Sequence, residues 1–215
     1  MNKIAPIAIL MLLIFIQCST GEYVLQVDNE ISPGYRLELL RKINVKIARQ
    51  YLNYTEENNI QIPIGYYGWP KIRKVWEEVP EVSRYRKDFE IADNNFLGFV
   101  SAKDARMKEA IDKWNKKTLG RGEWSKIKSV VYASVASKYP EEYNRYLNER
   151  QEKLRLCNYK TIEYFLNDSI EKEQLFPIDW VPDYHMKKIL TDKFIQTLSE
   201  DLDGFKVEMI EYTLN

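Results

Sequence analysis

The spacing of apolar positions predicts a chain made mostly of helices with a few short extended stretches. Ser32 can cap a helix and Pro33 suits its first position, after which Leu40, Ile43, Ile47, Tyr51 and Tyr54 recur at helical steps on one face. The opposite face carries Arg36, Arg41, Lys42, Lys46 and Arg49, a pattern that ordinarily marks a solvated face and less commonly a binding surface. A short helix is expected from Lys71 to Val79, and another after Pro80 on Val82, Tyr85, Phe89 and Ala92, broken at Asn94-Asn95. Ser101 and Asp104 resemble a capping box for a helix that buries Ala110, Ile111 and Trp114 and stops at Gly120. The next helix starts near Glu123 and uses Ile127, Val130, Val131 and Val135. The longest stripe runs from Pro140 through Tyr143, Leu147, Leu154, Cys157, Ile162 and Phe165 to about Asn167, with a break near Asn158 left open. A final helix opens at Pro182-Asp183 and buries Met186, Ile189, Leu190, Phe194 and Leu198.

Three stretches read as extended: residues 22–28, 60–66 and 205–214, each alternating apolar with polar side chains. Pro63 confines the middle one to a sheet edge or a loop, because it has no N–H for a ladder. The predicted architecture is therefore a single mainly helical domain over 22–215, with a small sheet of two or three short strands tying the chain ends together. No self-similar repeat and no Ser/Gly/Pro-rich linker divides it.

The first 21 residues follow different rules. Lys3 supplies a positive charge, and Ile4 to Ile16 is apolar except for the bend at Pro6. A span of the hydrocarbon core needs about 20 residues, so this run has the length of an export signal instead. Two processing sites compete for its end. Ser19-Thr20-Gly21 offers the small residues an ordinary signal peptidase reads, giving a secreted chain that starts at Glu22. Cys18, placed directly after the apolar run and followed by Ser19-Thr20-Gly21, resembles the lipidation site of bacterial lipoproteins. That resemblance implies an acylated Cys18 as the new N-terminus, a membrane partner reached through the lipid, and a place in the cell envelope. Gln17 ahead of the cysteine departs from the small residue usual there, so the start at Glu22 stays open.

Composition narrows the chemistry. The 215 residues are 45% hydrophobic and 30% charged, which supports a buried core and excludes disordered and collagen-like classes. Lys plus Arg equals Asp plus Glu at 32 each, so no global field draws nucleic acid, and none is expected as a partner. A local excess of base from Lys103 to Lys128 reads as a solvated helix face, or as a contact with anionic headgroups if Cys18 is acylated. His185 is the single histidine and Cys157 the only cysteine beyond Cys18, so no zinc constellation and no other metal or cofactor is expected. Cys157 sits within a helical stripe as a small apolar residue, and His185 is expected in a helix first turn, partly exposed.

Two functional leads remain. Gly65-Tyr66-Tyr67-Gly68-Trp69-Pro70 frames three rings in a turn, and rings on a loop can stack on sugar or anchor a protein, so Tyr66, Tyr67 and Trp69 are the candidate binding residues for an unknown protein or glycan. Glu77, Glu78, Asp179 and Asp183 lie near Trp69, Trp76 and Trp180 in sequence, which is the composition of a glycan-cleaving carboxylate pair. The favoured expectation is an exported, lipid-anchored binding module without assigned catalytic residues. The alternative is a secreted or anchored hydrolase acting on glycan.

Overall fold

A computed structural model describes residues 23–26, 33–64, 69–201 and 208–211. The chain is mainly helical. In order it forms strand β1 (Tyr23–Gln26), helices α1 (Pro33–Glu57), α2 (Trp69–Glu78), α3 (Pro80–Lys103), α4 (Ala105–Asn115), α5 (Arg121–Lys138) and α6 (Pro140–Glu171), a 3-10 turn at Ile178–Trp180, α7 (Asp183–Ile189), α8 (Asp192–Asp201) and strand β2 (Glu208–Glu211).

The spine is α6 with α3 packed along it. Its 32 residues span about 48 Å at 1.5 Å per residue, long enough to serve a separate core at each end. One core joins Leu39, Ile43, Ile47 and Tyr51 of α1 to Ile162 and Leu166 of α6, and then to Phe176, Val181, Ile189 and Leu198 of the C-terminal segments. The other joins Phe96 and Val100 of α3 to Met107 of α4, Val131 and Val135 of α5 and Tyr143 at the start of α6. Helices α3 and α6 both carry proline at their first position, where a missing N–H costs nothing.

Several helix ends differ from the sequence expectation, each for a local reason. Asn94 and Asn95 do not break α3, since both face solvent there and their side chains displace nothing. Ser101 does not cap α4. It lies inside α3 and donates to the Leu97 carbonyl at 2.7 Å, while the Asp104 carboxylate accepts from the Arg106 N–H at 3.0 Å and is the true cap. Helix α4 stops at Asn115, not at Gly120, because Lys117 takes φ 57° and Thr118 N–H closes onto the Lys113 carbonyl at 2.9 Å. The predicted C-terminal helix divides into α7 and α8: Leu190 leaves helical geometry, and the Thr191 hydroxyl accepts from the Phe194 N–H at 3.3 Å as a new cap. Val130 was expected inside and is 57% exposed.

The extended reading of 60–66 fails over its described part. Residues 60–64 form no strand; Ile62 alone is buried, Pro63 is exposed, and the Ile62 carbonyl pairs with a side chain instead of a ladder.

Candidate functional site

Two side chains one turn apart on α6 hold described chain on either side of residues 65–68. Asn158 donates from Nδ2 to the Ile62 carbonyl at 2.9 Å, which fixes the strand of chain entering the loop. Trp76, in α2 beyond the loop, donates from Nε1 to the Thr161 hydroxyl at 2.8 Å, which fixes the chain leaving it. Thr161 in turn donates to the Cys157 carbonyl at 2.6 Å, so its oxygen is oriented to receive the indole. Ile72 and Val75 of α2 are buried, and the guanidinium of Arg86 lies 4.6 Å over the Trp76 ring. Ile62 and Trp76, on either side of the loop in sequence, are thus both tied to one helix.

Tyr66 and Tyr67 lie outside the described residues, as does Cys18. Trp69 opens α2, and its side chain is likewise outside what is described. The break left open near Asn158 does not occur: α6 is continuous through it, and the amide that seemed a helix interruption is a clamp. A buried Asn in a helical stripe, with no local reason to be polar, was the signal for that role.

The carboxylate lead is divided by the fold. A cleft of about 440 Å³ beside Trp76 contains Glu77 and Glu90, while the side chains of Asp179 and Asp183 lie outside what is described. Each is already engaged, Glu77 with Arg73 at 2.8 Å and Glu90 with Arg86 at 2.9 Å. Glu78 pairs with Lys74 across a turn of the same helix. Trp180 stands at the other core, edge-on to Phe165 and Phe176, so it does not share a cleft with Trp76.

His185 is buried, not partly exposed as its place in a first turn suggested. Tyr51 and Tyr54 from α1 and its neighbour Tyr184 enclose the ring, and Nδ1 lies 3.4 Å from the Tyr51 hydroxyl oxygen. Burial holds the imidazole pKa below its ordinary value and pushes the Tyr51 phenol upward, so both groups are neutral near pH 7. The Cys157 thiol is fully buried, and burial pushes it up to about 11, which removes the thiolate a nucleophile needs. Among the described residues no group of three or more His, Cys, Asp or Glu side chains is placed to hold a metal ion.

Much of the basic run at 103–128 is neutralised in place. Lys103 pairs with Glu142, Arg106 with Asp104, Lys113 with Glu109 and Lys116 with Asp112, and Lys128 lies 5.6 Å over the Trp124 ring. No helix among the described residues is long and apolar enough to cross a membrane. No protein-family model matches the chain, and no curated protein or solved structure is similar to it at a significant level.

Proposed function

We propose that the protein is an exported cell-envelope module, anchored through acyl chains on Cys18, that binds a protein or glycan through the loop carrying Tyr66, Tyr67 and Trp69. The observation that carries the export half is the uncharged run Ile4–Ile16 ending two residues before a cysteine, a length suited to an export signal and too short to span. The binding half is supported by the crowding of three rings into one turn-forming stretch of sequence, between Ile62 and Trp76, both of which bond to α6.

The chain-end sheet belongs to the same proposal. Pairing of 23–26 with 208–211 ties down the segment that follows the anchor, and a Val24→Cys/Ile210→Cys variant forms the corresponding crosslink on oxidation. For the hydrolase alternative, the carboxylates Glu77 and Glu90 of the Trp76 cleft are both held by arginines, which counts against that cleft as its site.

Fractionation tests the anchor: the protein partitions with membranes, and Cys18→Ser moves it to the soluble exported fraction. For the loop, Trp69→Ala weakens retention on immobilised envelope protein or glycan far more than it lowers Tm. A soluble wild-type chain, or a Tm loss without a retention loss, contradicts the corresponding half.

A further inference from the structure

The polar face of α1 does not simply meet solvent. Together with the C-terminal end of α6 it lines a groove of about 640 Å³. Four cations border it, Arg41, Lys42, Lys46 and Arg49, with the carboxylates Glu38 and Glu173; Lys42 is paired with Glu38 and Lys46 with Asp201, which leaves the two arginines as the cations to account for. On the other side of the same end of α6, a groove bordered by Glu81, Glu163, Asp168 and Glu171 has the opposite sign, with Arg84 and Lys160 as its only cations. The basic character is therefore local to one face.

Arg41 stands apart among these cations. Its Nε is buried and has no hydrogen-bond partner, the one such side-chain atom among the described residues. Its nearest anion, Glu173, approaches Nη1 only to 3.8 Å, too far for a hydrogen bond, and is itself 82% exposed. An unpaired buried donor on a guanidinium is unfavourable, and a small rotation bringing Nε–H and one Nη–H onto a single oxyanion relieves it. Arg49 makes no ion pair among the described residues. The last carbonyls of α6 do not consume these cations, because the N–H groups of Lys172, Glu173 and Gln174 already close onto Asp168, Ile170 and Ser169. Between the charges lie Val45 and Ile170, the latter 38% exposed, so the groove offers hydrocarbon contact next to the guanidinium.

We propose that this groove binds a phosphate ester with an adjoining hydrocarbon part, gripped by Arg41 and steered by Arg49. Arginine suits the oxyanion because its planar fork matches two oxygens of one phosphate, and the apolar floor suits the hydrocarbon. Such chemistry is carried by an anionic phospholipid headgroup and by a soluble apolar phosphate ester. The site does not depend on Cys18 being acylated.

The test titrates the processed full-length chain, by calorimetry, with dihexanoyl phosphatidylglycerol as a dissolved monomer, with phenyl phosphate, and with dihexanoyl phosphatidylcholine. Saturable binding of at least one of the first two, exceeding that of the zwitterionic lipid, is expected. Whichever binds more tightly identifies the source as lipid or soluble ester. Arg41→Gln and Arg49→Gln each weaken it, by about tenfold or more for Arg41, where a charge-assisted bond is lost. Glu173→Gln, at an exposed side chain, strengthens binding severalfold by removing the competing carboxylate. No binding of either anion, equal binding of phosphatidylcholine, or unchanged affinity in folded Arg41→Gln and Arg49→Gln proteins overturns the proposal.

Discussion

The two cores at the ends of α6 are built on different principles. Around α3, α4 and α5 the core is helix against helix, filled by Phe96, Val100, Met107 and Val131, with Tyr132 and Tyr143 edge-on to Phe96. Around α1 the core must also hold chain that is not helical, the 60–64 segment and the connector after α6. Irregular backbone carries polar groups that no helix satisfies, and buried side chains satisfy them instead. Asn44 donates to the Phe176 carbonyl at 3.0 Å and accepts from the Phe176 N–H at 2.8 Å, as a backbone partner in a ladder does. Asn158 does the same service once, for Ile62. The buried polar residues among those described, Asn44, Thr55, Asn158, Thr161, Ser169 and His185, all belong to α1, the second half of α6 or α7. One end of the molecule is specified by shape, the other by shape plus hydrogen bonds, and Ile62 and Trp76, which flank the candidate loop in sequence, bond to the second kind.

The largest contrast comes from volume. Phe96→Ala removes the central ring of the helical core and costs about 3–5 kcal/mol, measured by denaturant midpoint. Its effect on hydrogen exchange is concentrated in α3, α4 and α5; equal loss of protection in α1 and α7 shows the cores to be one cooperative unit.

Hydrogen-bond deletion acts at the other end. Asn44→Ala and Asn158→Ala each cost about 1–3 kcal/mol through the backbone groups they orphan. Exchange rises at the Phe176 amide in the first variant, whereas the second loosens the aromatic loop and lowers ligand retention without touching Trp69. If Asn158→Ala leaves retention at the wild-type level, the clamp has no part in binding.

Acid separates the cores by their titrating groups. The folded pKa of His185 is below the ordinary 6.5, so below about pH 6.5 the unfolded chain binds a proton that the folded chain refuses. Stability is fullest above that pH and falls as acid is added, until the lowered folded value is passed. His185→Gln flattens this part of the stability profile. Asp104 and Glu152, held down by Arg106 and Arg155, give their own loss only under more acidic conditions, as pH falls below the ordinary carboxylate range. The smallest change is at a turn of the helical core: Lys117→Gly relieves the left-handed backbone and gains up to about 1 kcal/mol by thermal melting.

What the sequence made legible follows the same division. Helical periodicity showed α1, the start of α3 and α6, because an apolar stripe is a local signal. Helix stops were harder. Asn59, Lys117 and Glu173 hold positive φ at the ends of α1, α4 and α6, and no glycine marks them. The split between α7 and α8 rests on a single threonine cap. Ile60, Ile62 and Ile64 alternate as a strand does, yet only a distant asparagine determines that Ile62 turns inward and its carbonyl meets α6. The same limit hid the burial of His185, which depends on Tyr51, 134 residues away. Trp76 and Glu77 were visible as neighbours, but their ties to Thr161 and Arg73 required the packed helices.

Intact-mass spectrometry of the protein from membranes of the cells that make it tests the proposed anchor most directly. The account predicts a chain lacking residues 1–17 and carrying acyl mass on Cys18. A chain that begins at unmodified Glu22, or retains Met1, contradicts it.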